Sequence, residues 1–369
     1  MILFLNFAPF RFMGGAEKWV YEVSKKITGN NNQQVTLLSV SSSLASIYSN
    51  LVLRRPFEER FSSLNTSLIS EVQIDIESLI PFTRKWSLIK DKINSASKVY
   101  IKYELLEVLL LWYYGGKKTF SKTIAGIHTP FVYHQTHTLL EKVHNFIYSS
   151  KFSNIILSKC YKVHVITHRD EKFFKSKLKL KNVIFIPNSM TIRATVKSKS
   201  KSMDLRVLFV GELVYRKGID IIINMIKRNP NNIRFDIVGN GPYKDEIKKL
   251  CLVNKKCIYH DYLNQKTLYS QYAKSDLLIL PSRAEGFPLV FLEALAHGLP
   301  ILTSSAAAVG LPKNMEVSVN SFDGSDYIKA IESIKLNKIK TLKKSEIIDY
   351  YKNSIVRSSE SNYTDKLFA

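Results

Sequence analysis

Cysteine is scarce in this sequence. The chain has three cysteines in 369 residues, Cys160, Cys251 and Cys257. Their number and spacing match neither a disulfide framework nor the ligand pattern of a zinc site. We therefore expect no disulfide framework and a reducing compartment.

Long apolar runs are also absent. No uncharged apolar run in the sequence approaches the ~20 residues that a membrane-spanning helix needs. Residues 1–10 are apolar but have neither a basic lead nor a small-residue cleavage site, which favours a first buried strand over a signal peptide. These features predict a cytoplasmic protein, either soluble or peripheral on the inner face of the cell membrane.

Acidic residues are too few to balance the basic ones. The chain has 31 aspartates and glutamates against 54 lysines and arginines, which gives a net charge of +23. Such an excess suits an anionic membrane, phosphorylated substrates or nucleic acid as partners, and a lysine-rich solvated surface is the alternative explanation. No nucleic-acid recognition motif accompanies the charge, so we expect no specific nucleic-acid binding.

Length and composition predict two domains. A chain of 369 residues that is 45% hydrophobic can bury more than one core. We place an N-terminal domain at residues 1–190 and a C-terminal domain at 204–340, with a Ser/Lys-rich linker at Val196–Met203 between them. Residues 341–369 are predicted to form a helical tail that packs back towards the N-terminal domain.

The most informative stretch covers residues 276–305. Leu277–Leu280 is a short apolar run bounded by breakers, which is typical of a buried parallel strand. From Pro288 the pattern becomes that of a packed helix, and Ile301–Thr303 predicts the next strand. In such a unit, ligands bind at the carboxyl ends of the strands, against the helix N-terminus.

Two glutamates in this stretch predict a nucleotide-sugar site. Glu285 lies in the loop before the helix, and Glu293 lies among apolar residues inside it, where a carboxylate is costly without a partner. Vicinal sugar or ribose hydroxyls are good partners for a carboxylate, because charge-assisted hydrogen bonds are strong. The segment Gly286, Phe287, Pro288 and Leu289 would offer backbone N–H groups to a phosphate, although Pro288 has no N–H of its own.

The segment EGFPLVFLE, from Glu285 to Glu293, closely resembles the E-x7-E signature of the family 4 retaining glycosyltransferases. The resemblance covers residues 205–300 well and the N-terminal half only in short segments. It implies an α/β fold of two facing Rossmann-like domains (GT-B), with the active site in the interdomain cleft. It also implies an acceptor-binding N-terminal domain, a donor-binding C-terminal domain, a first glutamate on the transferred sugar and a second on the ribose.

The loop GELVYRKG carries basic residues where the resemblance places the donor diphosphate. Lys217 before Gly218 matches the family's phosphate-binding Lys-Gly, with Arg216 beside it. The family commonly has Arg directly after the first Gly, where this chain has Glu212. A carboxylate near a diphosphate is repulsive, so either Glu212 points away or Arg216 supplies the missing charge. A second departure from the family's pattern lies at residues 304–320.

Three N-terminal residues complete the predicted site. Gly14 and Gly15 follow a first strand and would let the backbone approach a ligand at a helix N-terminus, and GGAE resembles the family's N-terminal loop. A simple turn is the alternative. His128 is predicted at the end of a strand, where the family often has a histidine near the donor sugar; a structural histidine is the alternative.

The segment from Tyr100 to Lys122 combines a Leu-rich face with WYYGGKK. Such a stripe is typical of a core helix, and an interfacial surface held by aromatic and basic residues is the alternative. Together with the positive charge, it predicts docking on an anionic membrane, where a lipid-linked saccharide would be the acceptor.

The predicted reaction is the transfer of a hexose-type sugar from a nucleotide sugar to an acceptor hydroxyl, with retention. The resemblance implies no protein nucleophile and a donor phosphate that helps to deprotonate the acceptor, with Glu285, His128 and Lys217 as catalytic residues. No metal or other cofactor is expected, because no Asp-x-Asp pair is present and the spacing of His134, His137 and His144 matches no common ligand set. The alternatives are a sugar-nucleotide epimerase and a non-catalytic nucleotide-sugar or membrane-binding relative.

Overall fold

The computed structural model describes residues 1–7, 10, 15–31, 33–40, 66–74, 84–128, 131, 139–188, 192, 205–228, 233–309, 311–312, 314–335, 343–356 and 363–368. The chain divides into two compact units, one of Met1–Asn188 with Asn362–Ala369 and one of Ser189–Ser361. Gly14, His134, His137 and the predicted linker Val196–Met203 lie outside the described residues.

A parallel sheet of seven strands forms the centre of the first unit. The strands are β1 (Ile2–Asn6), β2 (Val35–Ser39), β3 (Ile69–Gln73), β4 (Lys98–Lys102), β5 (Thr123–Ile127), β6 (Lys162–Val165) and β7 (Val183–Phe185). Their order in the sheet is β3-β2-β1-β4-β5-β6-β7. Every residue of β1, β2 and β5 is buried, as expected for strands covered on both faces.

Helices cover this sheet. They are α1 (Gly15–Asn31), α2 (Arg84–Ser95), α3 (Leu105–Leu110), α4 (Leu139–Tyr148), α5 (Lys151–Lys159), α6 (His168–Lys172) and, from the end of the chain, α13 (Tyr363–Phe368). In α1, Trp19, Val23 and Ile27 recur every four residues and pack in one buried cluster with Phe4 and Tyr100 of the sheet. The amphipathic pattern of α1 thus orients it on β1 and β4.

The second unit repeats the plan with six parallel strands. They are β8 (Leu205–Val210), β9 (Ile233–Val238), β10 (Cys257–His260), β11 (Leu277–Leu280), β12 (Ile301–Ser304) and β13 (Glu316–Val319). The helices are α7 (Ile219–Arg228), α8 (Lys244–Val253), α9 (Gln265–Lys274), α10 (Leu289–Ala296), α11 (Gly324–Lys335) and α12 (Lys344–Tyr350). The strand order β10-β9-β8-β11-β12-β13 reverses direction between β8 and β11. This reversal creates the crevice at the carboxyl ends of β8 and β11 where α/β sheets bind ligands.

Two Rossmann-like α/β units confirm the predicted fold class. Several local predictions need correction. The sequence pattern predicts a first helix from Ala16 to Ile27 that Gly29 closes, but helix α1 continues to Asn31. Tyr100 lies in strand β4, and the helical stripe begins only at Leu105. The predicted tail is divided, since α12 belongs to the second unit and α13 to the first.

The cysteine prediction is also wrong for one pair. Cys251 and Cys257 form a disulfide, whereas Cys160 is free and buried. Helix α8 and strand β10 are joined by a short turn, which brings the two Cα atoms to 4.8 Å from each other. None of the described helices has both the length and the apolar character required to cross a membrane.

Candidate active site

The loop after β8 is held against the end of β11 by a glycine. Tyr215–Lys217 forms one 3-10 turn, which Gly218 closes in the left-handed conformation with φ of 73°. A Cβ atom at Gly218 would lie 2.2 Å from the carbonyl oxygen of Pro281. Only glycine combines this φ with so close an approach. The basic turn is therefore fixed at the carboxyl end of β11.

Lys217 and Glu285 meet at this edge of the sheet. The ammonium nitrogen of Lys217 lies 2.5 Å from Oε1 of Glu285, which is only 7% exposed. Nη1 of Arg216 lies 3.8 Å from the same oxygen and donates a hydrogen bond to the carbonyl of Ala284 at 3.1 Å. The residues predicted for the diphosphate and for the transferred sugar thus form one ion-paired cluster.

The electrostatics of the cluster keep Glu285 ionised. Burial by itself would raise the pKa of Glu285, but the attraction of Lys217 and Arg216 and the Lys217 hydrogen bond lower it below its usual value. Two cations then surround one carboxylate, which leaves positive charge for an anion. Glu212 lies 4.0 Å from Arg216, and both side chains are about a third exposed, so their mutual attraction is weak.

Arg283 supports the basic turn, and sequence reasoning missed it. Its guanidinium donates two hydrogen bonds of 2.8 Å to Asp220 and one of 2.7 Å to the carbonyl of Tyr215. It also lies 3.7 Å from the centre of the Tyr215 ring. A bidentate Arg–carboxylate pair is geometrically specific, so Arg283 holds the turn in place. The separation of 63 positions in sequence between Arg283 and Asp220 explains why no local pattern revealed the pair.

Glu293 is buried in helix α10 with a protein partner. Its Oε2 accepts a hydrogen bond of 2.9 Å from the hydroxyl of Tyr272 in α9, and Glu293 is 5% exposed. Burial and then the nearby Glu293 raise the pKa of Tyr272 well above its usual value, so the phenol stays a donor. The sequence predicts that the buried carboxylate of Glu293 needs a hydrogen-bond partner, and Tyr272 is that partner. No pattern in the sequence identified Tyr272.

Helix α10 begins one residue later than predicted. Pro288 is the N-cap, with extended φ and ψ of −64° and 124°, and Leu289 is the first helical residue. Gly286 and Pro288 are buried, whereas Phe287 and Leu289 are half-buried. The segment therefore lies at the positive end of the helix dipole, directly after the Glu285 cluster, where an anion is favoured.

The remaining predicted site residues belong to the first unit. Gly15 is the first residue of α1. His128 directly follows β5, as predicted, and its Nε2 lies 2.7 Å from the hydroxyl of Tyr100. Burial, then His164 and Lys102, lower the pKa of His128 well below its usual value, so the imidazole is neutral. Within the described part of the chain, no group of three His, Cys, Asp or Glu could hold a metal ion.

Part of the chain matches a known family. Residues 191–354 match the family model described as glycosyl transferases group 1. The uncharacterized glycosyltransferase MJ1607 of Methanocaldococcus jannaschii is 34% identical over 92 residues, which is 24% of this chain and 24% of that protein. The chain spans only 24% to 40% of the length of the first curated relatives that it matches.

Solved structures match over nearly the whole chain. WaaG, a glycosyltransferase involved in lipopolysaccharide biosynthesis, has a TM-score of 0.68 at 15% identity and matches 100% of this chain and 99% of its own. Anabaena HepE, solved with UDP-glucose, has a TM-score of 0.69 at 12% identity and matches 99% of this chain and 98% of its own. Residues 191–354 thus match glycosyl transferases group 1, in a chain whose two Rossmann-like units have the GT-B glycosyltransferase fold.

Proposed function

We propose that the chain is a retaining glycosyltransferase of family 4 that moves a hexose-type sugar from a nucleotide sugar to an acceptor hydroxyl in glycan biosynthesis. The observation that carries the proposal is the Lys217–Glu285 pair at the carboxyl ends of β8 and β11. It lies within the segment that matches glycosyl transferases group 1. A buried carboxylate with two cations beside a helix N-terminus suits a ligand with both a sugar and a diphosphate.

The donor would lie across this cluster. Lys217, Arg216 and the N-terminus of α10 at Gly286–Leu289 would hold the diphosphate, and Glu285 would accept hydrogen bonds from the transferred sugar. Glu293 would accept from the ribose in addition to the Tyr272 hydroxyl, since a carboxylate oxygen pair can accept several bonds. The complex of HepE with UDP-glucose supports a nucleotide sugar as the class of donor.

Catalysis would depend on stabilising the leaving diphosphate. Lys217 and Arg216 are fixed by Glu285 and Ala284, so their charge is in place before the donor bond breaks. The donor phosphate itself would help to deprotonate the acceptor hydroxyl, without a metal. Gly14 and Gly15 of the first unit are proposed to bind the donor, and His128 is proposed as a catalytic residue near the donor sugar.

The test compares carboxylate variants with a surface control. Glu285→Ala is expected to abolish transfer and Glu293→Ala to weaken donor binding, while thermal unfolding shows that both variants remain folded. Glu246→Ala, at an exposed ion pair on α8, should keep wild-type turnover. The assay measures free nucleoside diphosphate and the anomeric configuration of the product over a panel of nucleotide sugars.

Two outcomes would reject the assignment. Activity near wild type in both the Glu285 and Glu293 variants would show that these two glutamates do not form the donor site. Conversion of the donor to an epimeric nucleotide sugar, without release of nucleoside diphosphate, would favour the epimerase alternative.

We also propose that the first unit docks on the anionic inner face of the cell membrane, where a lipid-linked saccharide is the acceptor. Helices α4 and α5 carry an apolar surface in which Phe146 is 81% and Phe152 is 67% exposed, together with the half-exposed Val143 and Ile155. We call these four residues the docking face. Lys142, Lys151 and Lys159 on the same two helices are also exposed. Aromatic and basic residues together are typical of interfacial binding.

The segment WYYGGKK, residues 112–118, has both a part in the core and a part on the surface. Tyr114 is buried in the core of the first unit, whereas Trp112 is 51% exposed. Lys117 and Lys118 are exposed as well. The segment therefore packs one aromatic ring inside and offers one aromatic ring and two cations to a partner.

A further inference from the structure

Three neighbouring strands bring a tyrosine between two histidines in the first unit. The hydroxyl of Tyr100 on β4 lies 2.7 Å from Nε2 of His128, after β5, and 2.8 Å from Nδ1 of His164 on β6. Nε2 of His164 lies 2.9 Å from the carbonyl oxygen of Ile186. The four groups form a continuous hydrogen-bonded chain that ends at His128.

The carbonyl at one end of this chain determines the position of every proton. The oxygen of Ile186 can only accept, so Nε2 of His164 must carry hydrogen. Burial lowers the pKa of His164 to about 4, so the ring is neutral and its Nδ1 has a lone pair. The single hydroxyl proton of Tyr100 is therefore donated to Nδ1 of His164. The Tyr100 oxygen then accepts a hydrogen bond from Nε2–H of His128.

The same logic leaves Nδ1 of His128 as an acceptor. The ring is neutral, and its one proton is on Nε2, so Nδ1 has a lone pair. Nδ1 is buried and has no hydrogen-bond partner among the described residues. His128 also lines a cavity of about 10 Å³ together with Asn6, Lys102 and Tyr100. A buried acceptor without a donor is costly, and the cavity has room for one small donor such as a hydroxyl group.

The packing of neighbouring residues holds these hydrogen-bonded side chains in place. A Cβ atom at Gly126 of β5 would lie 2.0 Å from the hydroxyl of Tyr100, so glycine leaves the space that this hydroxyl occupies. The ring of Trp19 stacks on His164 with the ring centres 5.4 Å apart, and its centre is 4.7 Å from that of His128. Locked rings of this kind hold one tautomer and one orientation.

We propose that Tyr100 and His164 are positioning residues that hold His128 in the Nε2–H tautomer, so that its Nδ1 accepts a hydrogen bond from a saccharide hydroxyl. The inference rests on the proposed function, because the hydroxyl is that of a transferase substrate. His164 and Tyr100 do not touch the sugar; they act by fixing which nitrogen of His128 is the acceptor.

The first experiment measures the tautomer directly. In the full chain labelled with ¹⁵N-histidine, ¹⁵N–¹H correlation spectra distinguish the protonated ring nitrogen from the bare one, and His128→Gln assigns the signal. We expect Nε2–H for His128 in the wild type and a mixture of tautomers in Tyr100→Phe, which removes the hydrogen bonds of the hydroxyl to His128 and His164. A wild-type His128 protonated on Nδ1, or an unchanged tautomer in Tyr100→Phe, would overturn the proposal.

The second experiment measures steady-state sugar transfer. Tyr100→Phe is expected to lower kcat/KM at least tenfold, and Gly126→Ala should do the same because it displaces a hydroxyl that is still present. Tyr103→Phe is the control, since the buried Tyr103 hydroxyl bonds Ser153 at 2.9 Å and contacts neither histidine. Equal loss in Tyr103→Phe, or full activity in Tyr100→Phe with a folded chain, would overturn the positioning role.

The two measurements also separate this inference from the proposed function. A change confined to KM for the nucleotide sugar would assign the hydroxyl to the donor, and a change in KM for the acceptor would assign it to the acceptor. If the wild type turned over no nucleotide sugar, the proposed function would be wrong and the saccharide role with it. The spectra would still decide whether Tyr100 and His164 fix the tautomer of His128.

Discussion

At the residue scale, the proposed donor site depends on how Lys217 divides its charge. Its ammonium group is paired with a carboxylate that is 7% exposed, and Arg216 is the second cation near that carboxylate. A donor diphosphate would share Lys217 with Glu285. Removing Lys217 therefore affects both the resting site and the leaving group, and the two effects can be measured separately.

We expect Lys217→Ala to lower kcat by about 10² to 10³, which corresponds to about 2.7 to 4 kcal/mol of lost diphosphate stabilisation. The free energy of unfolding should also fall by about 1 to 3 kcal/mol, because Glu285 stays buried without the ammonium group that lies closest to its Oε1. Lys227→Ala, at an exposed pair with Glu246, should change neither quantity. A loss of kcat below tenfold would make Arg216 the main phosphate contact.

A second residue-scale prediction concerns Glu107, whose side chain lies on the buried face of α3 and is 6% exposed. Burial, with the like charge of Glu104, raises the pKa of Glu107 from 4.5 to about 7, although Lys102 and a hydrogen bond from Phe7 oppose the shift. The folded chain thus holds this proton more tightly than the unfolded chain. The stability that the group contributes is present below about pH 4.5 and is lost as the pH rises through about 7.

We therefore expect Glu107→Gln to make the free energy of unfolding less dependent on pH between 4.5 and 7. From pH 4.5 to pH 7, the free energy of unfolding of Glu107→Gln should rise relative to that of the wild type by at most about 3 kcal/mol. Urea unfolding at several pH values measures the difference. Glu22→Gln, at a side chain that is 36% exposed, is the control. Parallel pH profiles for wild type and Glu107→Gln would contradict the shift.

At the element scale, the turn between β8 and α7 is the most constrained feature of the site. Gly218 combines a φ of 73° with a carbonyl oxygen 2.2 Å from where a Cβ would lie. A side chain at this position would move the turn away from the end of β11 and separate Lys217 from Glu285. We expect Gly218→Ala to lower the free energy of unfolding by about 2 kcal/mol or more and to reduce activity further than the stability loss explains.

Gly29 offers a matched control for this substitution. It lies near the end of α1, has no atom within 4 Å of an added Cβ and does not require a positive φ. Gly29→Ala should stabilise the chain by about 0.5 to 1 kcal/mol. Equal effects of the two substitutions in thermal unfolding would show that the turn has no special constraint.

Most elements of the second unit could be predicted because their signals are local. The strands at Leu277–Leu280 and from Ile301 begin as predicted, since short apolar runs bounded by glycine and proline delimit them. The region between Ser41 and Lys98 gave no such signal. Its described residues contain β3 and α2, in which only a few side chains are buried. Their mixed composition is compatible with more than one secondary structure, and contacts with the rest of the first unit decide which one forms.

At the scale of the whole molecule, the net charge of +23 and the docking face predict membrane binding. Each basic residue near an anionic surface contributes about 1 kcal/mol at most and is screened by salt, whereas a buried aromatic ring contributes about 1.5 to 3 kcal/mol. We expect co-sedimentation with anionic vesicles at physiological salt and weaker binding to neutral ones. Phe146→Ser with Phe152→Ser should lower vesicle partitioning at least tenfold.

The control for this experiment is a pair of apolar residues elsewhere on the surface. Leu252 and Val253 of α8 are 83% and 82% exposed in the second unit, and their double serine variant should bind vesicles as the wild type does. A competing nucleic acid distinguishes general charge from membrane docking. If the wild type ignored anionic vesicles and glycosylated a soluble acceptor efficiently, the membrane proposal would be wrong.

The sequence by itself determined two α/β units and the loops that present Lys217 and Glu285, because apolar periodicity, glycines and prolines act over a few residues. Only the tertiary structure decided the partners. Lys217 and Glu285 are 68 residues apart in sequence, and Tyr100 and His164 are 64 apart, yet the parallel sheets bring the side chains of each pair within hydrogen-bond distance. A buried charge or proton takes its state from such neighbours, and the folding of the sheets determines which neighbours those are.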